Sequence, residues 1–320
     1  MIDEELFKQH PRCESSTAPG GVLIGTCSWT DPTLISSGRF YPRKTMSAEE
    51  RLRYFSEQFP IVEVDSTYYA LVSERNTRLW AERTPSDFVF DVKAFGMLTG
   101  HPTPPARLPA TLRDLLSDEA AGKRSVYRKD LPSHVVDMIW ETHRRALAPL
   151  HATGKLGAVL FQFPPWFVRS REHADYLHRV VSELPDFRIA VEFRGGGWME
   201  QDVAAETLAL LEREGIAYVS VDEPQLERGT TPPIVAVTSE LAILRLHGRN
   251  MGTWQSRAGS ASDRFNYLYD GSELEELAGR ARQLRRTAAM THVLFNNNFE
   301  DQGVVNARRL ATLLEADGEP

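Results

Sequence analysis

The sequence predicts an α/β fold: a single TIM-type (β/α)8 barrel with a long insertion after the third strand. Three observations carry that prediction. Eight short apolar or alternating runs recur along the chain, helical stretches separate most of them, and no glycine-rich phosphate loop follows the first run, Val22 to Trp29. Repeated strand-then-helix order implies parallel strands, and eight such units close a sheet on itself, whereas an open doubly wound sheet usually has fewer strands.

The runs fall at 22–28, 61–66, 88–93, 156–162, 187–193, 217–222, 242–247 and 291–297. Between the first two, Ser47 stands three residues before Glu50, a spacing in which the two side chains satisfy free amide groups at a helix start. After the third strand comes the insertion, residues 95–155, opening with the proline-rich His101 to Pro109 and closing with a helix predicted from about Ser133 to Leu150. Long loops of this kind often cap a site. After the sixth strand, Glu223 to Glu240 holds Pro224, Pro232 and Pro233 and little helical pattern, so an irregular crossover is expected. Ser272 with Glu275 repeats the capping spacing ahead of the eighth strand. The barrel domain is thus set at 21–316, with disordered ends expected at 1–20 and 317–320.

Composition agrees with one large domain. The 320 residues are 42% hydrophobic and 25% charged, the make-up of a chain that buries a sizeable core. A formal net charge of -7 opposes a phosphate backbone, so a nucleic-acid partner is disfavoured outside some local basic groove. The cluster Arg280, Arg282, Arg285 and Arg286, with Glu275 and Glu276 upstream, reads as a solvated helix face. Cys13 and Cys27 have no metal-type spacing and are expected reduced. The first twenty residues lack the basic start and apolar stretch of a secretory signal, and no apolar run approaches the ~20 residues that span a bilayer. A cytoplasmic protein without membrane attachment is expected, and the oligomeric state is left open.

In a parallel strand buried on both faces, polar residues in one alternating set mark the face turned toward the barrel axis. That set supplies Glu63 and Asp65, Asp91 and Lys93, Gln162, Glu192 and Arg194, then Ser220 and Asp222, and Arg245 with His247. Five acids face three permanent bases, with His247 able to supply part of the difference. Unpaired charge in a low-dielectric interior costs several kcal/mol, so such groups must pair, bind an ion or reach water. Two readings follow, a salt-bridged plug or a working site. Their place in the last positions of the strands, where barrel enzymes keep their chemistry, favours the second.

Around the same end stand Trp29, Tyr68, Tyr69, Phe163, Trp166, Trp198 and Trp254, rings able to stack on a sugar face or simply to pack. Asn296, Asn297 and Asn298 end the eighth strand, where asparagine needs partners for its amide: substrate hydroxyls or its own turn. His247, Arg249 and Asn250 follow the seventh strand, and Arg249 is placed to grip a carboxylate or phosphate. His101, in the insertion, reads as a solvated loop residue. No P-loop, H-E-x-x-H, G-x-S-x-G or cysteine-rich metal set is present.

Taken in order, several motifs resemble one family. They are Gly25-Thr26-Cys27-Ser28-Trp29, Phe40-Tyr41-Pro42, Val62 to Tyr69, Val92-Lys93-Ala94 and Phe161-Gln162-Phe163-Pro164-Pro165. They continue with Glu192-Phe193-Arg194, Val221-Asp222-Glu223-Pro224, His247-Gly248-Arg249-Asn250, Tyr267-Leu268-Tyr269 and Phe295 to Asn298. The chain resembles the YecE-like family, domain of unknown function 72, over about residues 22 to 315. The resemblance implies a triosephosphate-isomerase-type barrel and no established reaction. Its characteristic polar residues would be Glu63, Lys93, Gln162, Glu192, Arg194, Asp222, His247 and Asn296, nearly the set that alternation selects. Where the family often has His-Pro-Ser-Trp, this chain reads Gly195-Gly196-Gly197-Trp198, so no side-chain role is carried into that loop.

Three functions fit these residues. The first is an enzyme, hydrolase or isomerase, acting on a small polyhydroxylated or phosphorylated ligand. Glu63, Lys93, Glu192, Asp222 and His247 are its catalytic candidates, and Trp29, Tyr68, Gln162, Arg194, Arg245, Arg249, Asn296 and Asn298 its binding candidates. There Glu63 and Glu192 would be general acid and base, an arrangement that also suits glycoside hydrolysis. The second is a phosphodiester hydrolase assisted by a divalent metal ion such as magnesium or manganese, held by Glu63, Asp65, Glu192, Asp222 and His247. The third is a non-catalytic protein that binds an anion or metabolite through Lys93, Arg194, Arg245 and Arg249.

Overall fold

Eight parallel strands close into a barrel in chain order. They are β1 (Gly21–Cys27), β2 (Ile61–Val64), β3 (Val89–Lys93), β4 (Leu156–Phe163), β5 (Ile189–Phe193), β6 (Ala217–Asp222), β7 (Leu241–Leu246) and β8 (Met290–Phe295). β8 returns to β1, pairing Gly21 with Met290 through to Thr26 with Phe295. The computed structural model describes residues 21–195, 197–226, 230–254 and 264–316. The expected disordered ends, and Cys13 with them, lie outside the described residues, as does Gly196.

All eight expected strands form, with ends shifted by one or two residues. The second stops at Val64 because Ser66–Tyr68 tightens into a 3-10 turn. Alternation divides the core in two. Leu23, Cys27, Ile61, Ala158, Leu160, Ala190, Val219, Val221, Ile243 and Leu294 fill the barrel, while the opposite faces of the strands pack against the helices. Each large apolar side chain buried in this way stabilises by roughly 1.5–3 kcal/mol.

Ser47 and Glu50 form the expected capping box on the helix Ala48–Gln58. The second box is displaced. The helix Gly271–Arg285 is capped by Asp270 with Glu273, and Ser272 instead donates its hydroxyl to Asp270. An aspartate ahead of a glycine outcompetes the serine two residues on, because its carboxylate accepts the Glu273 N–H at 2.9 Å. In the insertion, Ser133–Ala152 packs against the helix Glu74–Glu82 and is the ordinary helix of the third unit, so the added material is residues 94–132. The crossover from β6 to β7 contains no helix among the described residues. Among the described residues, no helix is long and apolar enough to cross a membrane.

Candidate functional site

At the end where the strands finish, Arg245 of β7 reaches across the barrel. Its Nε and Nη2 donate to the two Glu63 carboxylate oxygens, each at 2.7 Å, and its Nη1 donates to Glu192. All three side chains are almost completely buried. The Cys27 sulfur lies 3.8 Å from Nη2, and burial followed by the Glu63 charge pushes that thiol up. A planar guanidinium with fixed donor directions suits this double grip as an ammonium would not.

Glu192 is the hub. Its Oε1 accepts from Gln162 Nε2 at 2.6 Å, from Arg194 Nη1 at 3.2 Å and from His247 Nε2 at 3.3 Å. Burial alone would raise its carboxyl, but Arg245, His247 and Arg194 outweigh burial and hold it well below the usual range. Burial brings His247 down to about 4 against the pull of Glu192, so its ring is neutral at pH 7. The partners assign the tautomer: Asn296 Nδ2 donates to Nδ1 at 2.9 Å, leaving the proton on Nε2 for Glu192. Asn298 donates to Asn296 Oδ1 at 3.2 Å, which fixes the amide, and Asn297 is buried beside Gly248. Gly248 follows with φ 85°, and a Cβ there would stand 2.5 Å from Tyr267 Cβ, so only glycine fits between His247 and Arg249.

Lys93 differs from the other inward cations. Among the described residues no carboxylate lies within ion-pair distance of it, and its Nζ sits 4.8 Å from the Tyr68 ring centre. Burial, then the charge of Arg245, holds its ammonium below the ordinary lysine value. Asp65, the first residue past Val64, stands at the N-cap of the 3-10 turn and is close enough for the two charges to act on each other. Burial and the Glu63 charge raise Asp65 to about 6, with Lys93 opposing them. His101 is half-buried, its ring 5.1 Å from Tyr68 and 5.6 Å from Trp166, and it is not the solvated residue expected. Burial and the Lys93 charge bring it to about 4. Arg194 completes the rim, bridging Glu192 and Glu223 beneath the Trp254 ring.

The structure separates other candidates from this group. Ser220 and Asp222 were expected on the axis side, but β6 turns Val219 and Val221 inward. Asp222 faces the helices, accepting from Arg249 at 2.7 Å, Arg280 at 3.2 Å and Tyr269 Oη at 2.8 Å. Arg249 and Arg280 are thereby bound to Asp222 and Glu276, neither gripping an open site nor forming a merely solvated face. Trp29 packs in the core against Trp80 and Phe90, because Ser28, with φ 98°, turns the chain off the axis as β1 ends. Phe163 and Trp198 are core as well. Tyr68, Tyr69, Trp166 and Trp254 remain at the rim.

No three His, Cys, Asp or Glu side chains of the described residues converge on one metal position. Glu63 and Glu192 spend their lone pairs on Arg245, and Asp222 lies on the other side of its strand. The donor set foreseen for magnesium or manganese is therefore not assembled here. A depression of about 820 Å³ opens at the opposite end, against the starts of β4 and β5, but its His151, Asp186, Arg188, Glu212 and Glu240 are all exposed. Convergent buried chemistry, rather than volume, locates the candidate site.

Residues 23–320 match the family described as protein of unknown function DUF72. The chain belongs to that family. It is 31% identical over 300 residues to the UPF0759 protein YunF of Bacillus subtilis strain 168, covering 92% of this chain and 95% of that protein. A crystal structure of a DUF72 family protein from Thermotoga maritima is 29% identical and covers 92% of this chain and 99% of its own, with a TM-score of 0.70. One from Enterococcus faecalis V583, at 23% identity, covers 92% and 95% with a TM-score of 0.73 and shares the fold.

In this DUF72 protein two inward residues, Glu223 and His292, escaped the sequence reading, and a third, His101, was expected in solvent. Glu223 lies one residue past the end of β6, in phase with Val219 and Val221. His292 pairs with Asp91 at 2.9 Å inside the barrel, in phase with Leu294 and Asn296. His101 is brought in by the fold of the insertion. Phase alone could have found the first two.

Proposed function

We propose that this DUF72 protein is an enzyme performing acid–base chemistry on a small polyhydroxylated or phosphorylated ligand at the C-terminal mouth of its barrel. The observation that carries the reading is how the interior charges divide. Glu63 and Glu192 are both bound to Arg245 through short hydrogen bonds, whereas Lys93 and Asp65, close enough to act on each other's charge, have no such partners among the described residues. Both have proton affinities moved toward neutrality, the condition for efficient proton exchange. Lys93 and Asp65 are the proton carriers in this reading. Glu63 and Glu192, first considered as acid and base, become the fixed charges that hold Arg245, Arg194, Gln162 and His247 in place. Arg194 and Lys93 supply positive charge for a phosphate or a developing oxyanion, and Tyr69 and Trp166 offer exposed rings to a sugar face.

The test is exchange of carbon-bound hydrogen in D2O. Free sugars and sugar phosphates are incubated with the protein and followed by proton NMR. Exchange with at least one member is expected, falling by two orders of magnitude or so in Lys93→Met and Asp65→Asn. Binding of these compounds with neither exchange nor turnover would replace the enzyme with an anion- or metabolite-binding protein.

A further inference from the structure

We infer that Lys93 is a nucleophile whose amine forms an imine with the carbonyl group of an open-chain sugar or sugar phosphate. The inference rests on the reading of the mouth given above and deepens it by naming the ligand class.

Lysine at this position matters first. Lys8, Lys44, Lys93, Lys123, Lys129 and Lys155 are the lysines of a chain with 37 lysines and arginines. The other cations that the described residues place inside the barrel mouth, Arg194 and Arg245, are guanidinium groups. A guanidinium keeps its proton under all ordinary conditions, whereas an ammonium can lose one and expose a lone pair. What lysine does elsewhere in this chain matters next. The Lys155 Nζ is filled by the carbonyls of Ala81 and Thr84 and by Thr84 Oγ1, a purely structural clasp. Among the described residues, Lys93 has no such hydrogen-bonded clasp, and its Nζ lies over the face of Tyr68. Half-buried, it remains within reach of a ligand.

The surroundings supply the rest. Burial and the neighbouring Arg245 charge favour the neutral amine, a known way of activating a lysine. Asp65, the first residue past the end of the adjacent strand, is close enough to act on the Lys93 charge and is positioned to carry protons. In the step itself the neutral Lys93 amine bonds to the carbonyl carbon as the C=O π bond breaks, and the first of its two protons passes by way of the Asp65 carboxylate to the oxygen, giving a hydroxyl. The nitrogen then passes its second proton to the Asp65 carboxylate, which delivers it to the hydroxyl as the C–O bond breaks and water leaves. Amine and carbonyl thus give imine and water, with no oxidant or reductant.

The test uses the full chain, D-glyceraldehyde 3-phosphate as probe and sodium cyanoborohydride to reduce the C=N bond to a stable secondary amine. Peptide mass spectrometry then locates the adduct. Labelling of Lys93 should exceed that of exposed Lys44, Lys123 and Lys129 on the order of ten-fold. Lys93→Arg, which keeps the charge, should lose the adduct yet still bind glycerol 3-phosphate by calorimetry. Uniform labelling, or glycerol 3-phosphate binding without a Lys93 adduct, overturns the inference while the acid–base reading stands. Trapping at Lys93 without hydrogen exchange in D2O supports the inference and removes proton abstraction from carbon. Neither binding nor trapping overturns both.

Discussion

Replacing Arg245 with methionine removes the hydrogen bonds it gives to Glu63 and Glu192 and leaves two carboxylates, both 0% exposed, without their principal counter-charge. Breaking a buried ion pair from one side costs about 3–5 kcal/mol. With an unfolding entropy of roughly 2.1 cal/mol/K per residue, a chain of this length has a slope near ~0.7 kcal/mol/K, so Tm should fall by roughly 5–7 °C. The loss should also depend on pH. In the parent, Arg245, His247 and Arg194 outweigh burial and depress the Glu192 carboxyl. That stabilisation is present above the unfolded value of about 4.3 and is lost as pH falls through the folded one. In the variant, burial without the guanidinium raises the carboxyl, so stability is lost as pH rises. The gap between parent and variant must therefore widen from pH 5 to pH 8. Thermal unfolding followed by circular dichroism at both values measures it, and adding Glu63→Leu should recover part of the loss by removing one orphaned charge. A loss under about 1 kcal/mol at pH 8, or a gap that narrows as pH rises, would refute the argument.

Three further outcomes are expected. The His247 ring, held down to about 4, should show the neutral Nε2-protonated pattern in nitrogen NMR from pH 6 to 8. Because its folded value lies below the unfolded one, its contribution is complete above about 6.5 and fades as pH falls toward 4. Asp222→Asn should lower Tm by loosening Arg249, Arg280 and Tyr269 but leave ligand binding at the mouth within about two-fold, since the carboxylate faces the helices; a loss of binding with Tm unchanged would return Asp222 to the site. Gly248→Ala should cost about 2–3 kcal/mol in urea unfolding, combining a left-handed backbone with a 2.5 Å approach to Tyr267, and a cost below about 1 kcal/mol would contradict that geometry.

Much of this site was legible before any coordinates. Glu63, Lys93, Gln162, Glu192, Arg194, Arg245, His247 and Asn296 all occur in apolar surroundings at strand ends, and all of them meet at the mouth. Asp222 was misread for a definite reason. In β6 the alternating sets are Ala217, Val219, Val221 and Tyr218, Ser220, Asp222, and polarity chose the second. The polar set turned outward because Arg249, Arg280 and Tyr269 were there to receive it. Trp29 was similarly displaced by one residue's backbone, the positive φ of Ser28.

The sequence by itself determined that eight strands exist, that they run parallel with helices between most of them, and that most of the inward polar residues lie toward one end of their strands. These are local properties, written in periods of two and 3.6 residues. Only the tertiary structure decided which charges neutralise one another. Arg245 finds Glu63 across 182 positions and Glu192 across 53, and these pairings leave Lys93 and Asp65 as the groups not so engaged among the described residues. A strand buried on both sides announces that it has two faces, but the partners waiting on each side settle which face the charge will take, and they come from distant parts of the chain.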